Sequence, residues 1–148
     1  MPEKPSAVLA FDYGTRRIGL ASGDTLTRTA APRPAIDVGA SGPDWTAIGR
    51  EISALRPALL VVGAPYNADG SPGALTSAAS AFAAELASRF GLPVQRVDER
   101  FSSLEASAAL RAQRASGARR RRVRAGDVDS AAAAIILERW LGGEGFAQ

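Results

Sequence analysis

The chain has no cysteine and no histidine. It therefore builds no disulfide, no thiolate zinc site and no imidazole base, and any chemistry falls to carboxylates, hydroxyls, lysine and arginine. No apolar run approaches the ~20 residues of a membrane helix, and no basic start leads into an apolar stretch and a cleavage site. A cytoplasmic protein is the expectation. Net charge is scarce too: 18 basic against 15 acidic residues leave +3, by itself a weak argument for a nucleic-acid partner.

What is present has a globular balance. With 46% apolar and 22% charged residues in a chain of 148, one domain spanning 1–148 is expected, burying roughly 70% of its unfolded surface. Residues 1–6 and 143–148 are expected to be flexible, and 115–126 to form a mobile basic loop.

AVLAFDY, 7–13, reads as a buried strand, and RRIGLASG, 16–23, pairs with it after a turn at Gly14 and Thr15. TRTAAPRPAI carries two prolines, which predicts an edge strand or extended passage. In DWTAIGREISAL, 44–55, Trp45, Ile48, Ile52 and Leu55 fall at helical spacing, with Asp44 as N-cap and Pro57 beyond the end. The apolar strand 58–63 breaks into a loop rich in Gly, Pro, Asn and Asp. An alanine-rich helix over 73–90, closed by Gly91 and Pro93, leads to a strand over 93–99, so a βαβ unit with parallel strands is predicted. Ser102 and Glu105 form a capping box that starts a further helix. A last helix is expected over about 127–141, stopped by Gly142 and Gly143.

This order predicts an α/β protein with a mixed sheet covered by helices. Asp12 and Glu99 then lie at C-terminal strand ends, the edge where ligands of open α/β sheets bind. Taken alone, Asp12 fits a turn, a phosphate cradle or a metal ligand, and Glu99 fits a solvated charge as readily as a ligand. Asp127 and Asp129 each suit the positive start of the last helix.

FDYGTRRIGLA, VVGAPYNADGS, VDERFSS and DVDSAAAAIILERWL, in that order, resemble the YqgF family, also called RuvX. These are small bacterial proteins with the ribonuclease H-like fold shared by the RuvC Holliday junction resolvase. The resemblance runs from about Val8 to Leu141 and implies a mixed sheet with an N-terminal antiparallel hairpin or meander, then parallel strands, with helices on both faces. It also implies a metal-dependent nuclease whose acids align with Asp12, Glu99 and Asp129, leaving Asp127 as cap or auxiliary ligand. Mg²⁺, with Mn²⁺ as a substitute, suits an all-oxygen donor set. Two such ions about 3.5–4 Å apart neutralise the attacking and leaving oxygens of a phosphodiester.

The arginines supply candidate substrate contacts. Arg16 and Arg17 follow the first strand, Arg17 matching the family's R-I-G, and either contacts phosphate or stays solvated. Arg100 binds phosphate or pairs with a nearby acid such as Asp98. Arg119, Arg120, Arg121, Arg122 and Arg124 place positive charge just before the third acid, and with no aromatic among them backbone recognition is expected over base stacking. Asn67, in N-A-D-G-S, is expected to line the substrate groove, although Ala64 and Tyr66 depart from the family pattern. The family implies processing of the 5′ end of the 16S rRNA precursor, whereas likeness to RuvC suggests four-way DNA junctions; a non-catalytic nucleic-acid-binding module is a third reading. D-Y-G-T also resembles the phosphate hairpin of actin-like ATPases, but those need two such domains and only one such hairpin is present. A monomer or homodimer is expected, with no membrane partner.

Overall fold

The computed structural model describes residues 6–14, 16–64, 74–98 and 125–142. In chain order these form β1 (Ala7–Asp12), β2 (Arg17–Asp24), β3 (Thr29–Gly39), β4 (Gly42–Pro43), α1 (Trp45–Leu55), β5 (Leu59–Ala64), α2 (Ala74–Phe90), β6 (Val94–Asp98) and α3 (Ala125–Leu141). The sheet order is β4-β3-β2-β1-β5-β6. β1 to β4 are antiparallel neighbours, while β5 runs parallel to β1 and β6 parallel to β5. The expected mixed α/β sheet is present, its strand limits shifted by a residue or so.

β1 is central and has no polar residue before Asp12, as a strand covered on both faces requires. Side chains alternate between two cores. Leu9, Phe11, Ile18, Leu20, Leu60 and Val62 pack with Ile48 of α1 and with Phe82 and Leu86 of α2. Val8, Ala10, Ala21, Val61 and Val97 pack with Ala133, Ile136 and Leu137 of α3. Helices therefore cover both faces, and each fully buried large side chain contributes about 1.5–3 kcal/mol.

β3 carries Pro32 and Pro34 where the sheet tolerates them. Its outer side pairs with β4 only at Val38 and Gly39 among the described residues. Its register against β2 shifts between Ile18, opposite Ile36, and Leu20, opposite Arg33, so Pro34 and Ala35 together face Gly19. This is a bulge, a position that accepts a residue without an N–H. Arg33 also donates to Glu51 of α1, which holds its guanidinium above the ordinary arginine value against the opposing effect of burial.

α1 begins as expected: the Asp44 carboxylate accepts the Ala47 N–H at 3.1 Å. It ends on Arg56 in the left-handed conformation, φ 48°, whose N–H reaches the Ile52 carbonyl at 2.8 Å. α2 closes on Gly91, φ 64°, where glycine adopts that conformation freely. It links the parallel strands β5 and β6, as the βαβ reading requires.

α3 starts two residues before the expected Asp127, so that residue is its third and not its N-cap. Ala125 and Gly126, assigned by sequence to the basic loop, are helical. A single glycine costs a helix only about 1 kcal/mol relative to alanine, which the alanine-rich remainder of α3 outweighs. The helix predicted from Ser102 and Glu105 lies outside the described residues, as do 1–5 and 143–148.

Candidate active site

Asp12 is the last residue of β1 and only 8% exposed. It follows Val8 and Ala10 in the alternation, which places it on the face covered by α3. Its two sheet neighbours are glycines, Gly19 on β2 and Gly63 on β5. Neither residue directly opposite Asp12 carries a side chain, which leaves room beside the carboxylate for α3 to approach.

Gly19 decides how close α3 comes. A Cβ built on it would lie 1.9 Å from the Asp129 carbonyl oxygen and 2.9 Å from the Ser130 N. Only a residue without a side chain lets helix backbone rest on the strand there. Ser130, 4% exposed, fastens the contact: its hydroxyl accepts the Leu20 N–H at 3.2 Å. That N–H belongs to the residue at which the β3 register shifts. Arg17, on the same face of β2, donates its Nε–H to Asp129 Oδ2 at 3.0 Å.

Thus Asp12, opposite Gly19 in the β1–β2 register, and Asp129, whose backbone lies against Gly19, are 117 positions apart in sequence yet share one end of one sheet face. Arg17 is beside them, paired with Asp129 and half-exposed, and Arg16 is exposed at the turn. Along the parallel strands, Asp12 is level with Gly63 and Gly63 with Val97, so β6 ends at Asp98 one step past that level. Glu99, Arg100, Asn67, Arg119, Arg120, Arg121, Arg122 and Arg124 lie outside the described residues. Among the described residues no three acids, histidines or cysteines gather as a metal cluster.

The donors placed at this end of the sheet are carboxylate oxygens, one buried and one half-exposed, in a chain without imidazole or thiolate. Such a set fits Mg²⁺ or Mn²⁺ and suits no softer ion. Sequence reasoning missed Gly19 and Ser130 as site-forming residues. A glycine inside an apolar strand was the available signal for close backbone approach, and the serine after Asp129 was the signal for a small polar anchor.

An antiparallel meander running into parallel strands, with acids at the C-terminal strand end, defines a ribonuclease H-like protein. The Thermus thermophilus RuvC structure shares this fold, with TM-score 0.53 and 16% identity over 95% of this chain and 98% of that one. T. thermophilus RuvC in complex with Holliday junction substrate gives TM-score 0.52 at 17% identity over 93% and 94%. Residues 6–143 match the family model RuvX, described as Holliday junction resolvase, and the chain belongs to this nuclease family. A relative from Xanthomonas campestris pv. campestris (strain 8004) is 47% identical over 95% of this chain and 94% of its own. One from Xanthomonas oryzae pv. oryzae (strain PXO99A) is 47% identical over 90% and 86%. Both carry the name "Putative pre-16S rRNA nuclease". No helix among the described residues is long and apolar enough to cross a membrane.

Proposed function

We propose that the chain is a divalent-metal-dependent nuclease that processes the 5′ end of the 16S rRNA precursor in the cytoplasm. The observation that carries the reading is the placement of Asp12 and Asp129 on either side of Gly19, with carboxylate oxygens as the donors, at the C-terminal end of β1. The names of relatives 47% identical over nearly the whole chain support the substrate.

In this reading Asp12, Asp129 and Glu99, which follows β6 by one residue, hold Mg²⁺ or Mn²⁺, with Asp127 as an auxiliary ligand. The bound cations supply Lewis-acid neutralisation of the oxygens that attack and leave phosphorus. The burial of Asp12 keeps its carboxylate in one place, and the anchoring of Ser130 to Leu20 does the same for the start of α3. Arg16, Arg17, Arg100, Asn67 and the five arginines between 119 and 124 take the phosphates and backbone of the strand, which fixes position without reading sequence. The protein works as a monomer or homodimer.

A four-way DNA junction is the second reading, favoured by the family description and by the RuvC-like fold. One experiment separates these from a non-catalytic binding module. Purified protein is given a precursor rRNA fragment and a four-way DNA junction, with Mg²⁺ or Mn²⁺, beside an Asp12→Asn control. Cleavage of the RNA that the control lacks supports the first reading and cleavage of the junction the second. Binding without cleavage under either metal would leave only the module.

A further inference from the structure

Among the described residues, three contacts join β2 to Asp129 and Ser130 of α3, and they are not alike. The Gly19 contact is backbone against backbone, and the Leu20–Ser130 hydrogen bond is buried. Together they set where Asp129 sits. The third, Arg17 Nε to Asp129 Oδ2 at 3.0 Å, joins two half-exposed side chains, 36% and 30% accessible. Exposed pairs of this kind contribute little to stability and exchange partners readily. The helix is already located without Arg17, so this ion pair is free to open while the backbone around it stays in place.

Its position gives the pair another consequence. Asp129 shares its end of the sheet with the buried Asp12 carboxylate. Two carboxylates at one end of a sheet face repel, and a nearby cation relieves the repulsion. A guanidinium on Oδ2 also takes acceptor capacity that a divalent cation would use. We infer that Arg17 is a resident counter-cation of the site: it neutralises Asp129 in the metal-free protein and gives it up when a divalent cation is bound. Arg17 then turns from holding a ligand to facing the phosphodiester. This rests on the metal-site reading of Asp12 and Asp129 proposed above.

The alternative role for Arg17 is that of an outer partner steadying a ligand. The two roles predict opposite signs. Loss of an outer partner weakens metal binding about 10–100-fold. Loss of a competing cation tightens it, by about 1.4-fold to fivefold from the ion pair alone.

The test is Mn²⁺ titration by isothermal calorimetry of the full chain, without nucleic acid, for wild type, Arg17→Met, Arg17→Lys and Asp12→Asn. Thermal melts in chelator confirm that each variant folds. The expected result is Mn²⁺ affinity tighter in Arg17→Met by about 1.4-fold to fivefold, with Arg17→Lys close to wild type because the charge is retained. The gain in melting temperature on adding Mn²⁺ should likewise be larger for Arg17→Met than for wild type. Unchanged or weaker affinity in Arg17→Met, where wild type binds and Asp12→Asn does not, overturns the counter-cation role and leaves the metal site standing. Absence of Mn²⁺ binding to wild type overturns both.

Discussion

Gly19→Ala sets a methyl group 1.9 Å from the carbonyl oxygen of Asp129 and 2.2 Å from its carbon. Both are backbone atoms of α3, so no rotamer change relieves the clash and the helix start must lift from the sheet. Overpacking of this kind costs about 1–3 kcal/mol. Lifting also stretches the Leu20–Ser130 bond, 3.2 Å in the native chain, and losing it strands a buried N–H at about 1–3 kcal/mol. The two costs overlap, because a helix that moves away gives up the bond to escape the clash, and about 2–4 kcal/mol is a fair total. At about 2–4 °C per kcal/mol for a domain of this size, the melting temperature should fall by roughly 5–15 °C. Gly39→Ala is the control, since a Cβ there meets nothing within 4 Å and should change stability by no more than about 0.5 kcal/mol. Circular dichroism melts of the three proteins, followed by Mn²⁺ titration below the transition, measure both effects. If Gly19→Ala melts within about 2 °C of wild type and binds Mn²⁺ as tightly, the close approach does not build the site.

Asp12→Asn should remove Mg²⁺-dependent cleavage while leaving the melt near wild type, because it takes away ligand charge without changing size; cleavage near the wild-type rate would refute the ligand assignment. Ser130→Ala should cost about 1–3 kcal/mol, read as a shift in the urea midpoint, by leaving the Leu20 N–H buried without its acceptor. An unchanged midpoint would mean that another acceptor replaces the hydroxyl. Replacing Arg119, Arg120, Arg121, Arg122 and Arg124 with alanine should weaken RNA binding and flatten its dependence on salt, each lost phosphate contact lowering the slope by about 1. A slope equal to that of wild type would exclude these arginines from the interface.

The local elements were legible because their causes are local. Asp44 caps α1 three residues before the N–H it accepts, and Gly91 and Pro93 end α2 by backbone preference alone. The unbroken apolar runs of β1 and β5 announced strands buried on both faces. The start of α3 was misjudged because Gly126 and Asp127 make a plausible boundary in isolation, while the preference of the whole helix carries it through them. Nor does any local rule say that Pro34 survives in β3 because the register against β2 shifts beside it.

The site divides along the same line. Residue chemistry was settled by the sequence: with no imidazole or thiolate, only oxygen donors were on offer, and Asp12 stood at the end of its strand. The resemblance to a family singled out Asp129. What brings that residue to the sheet end that carries Asp12 was decided by the tertiary structure, through the backbone of α3 resting on Gly19 and Ser130 holding Leu20, across more than a hundred residues of chain. Arg17 too changed meaning in three dimensions, from a cation beside a turn to the partner of Asp129. Contacts at such separation depend on how the helix docks on the sheet, which no spacing rule within a single segment encodes.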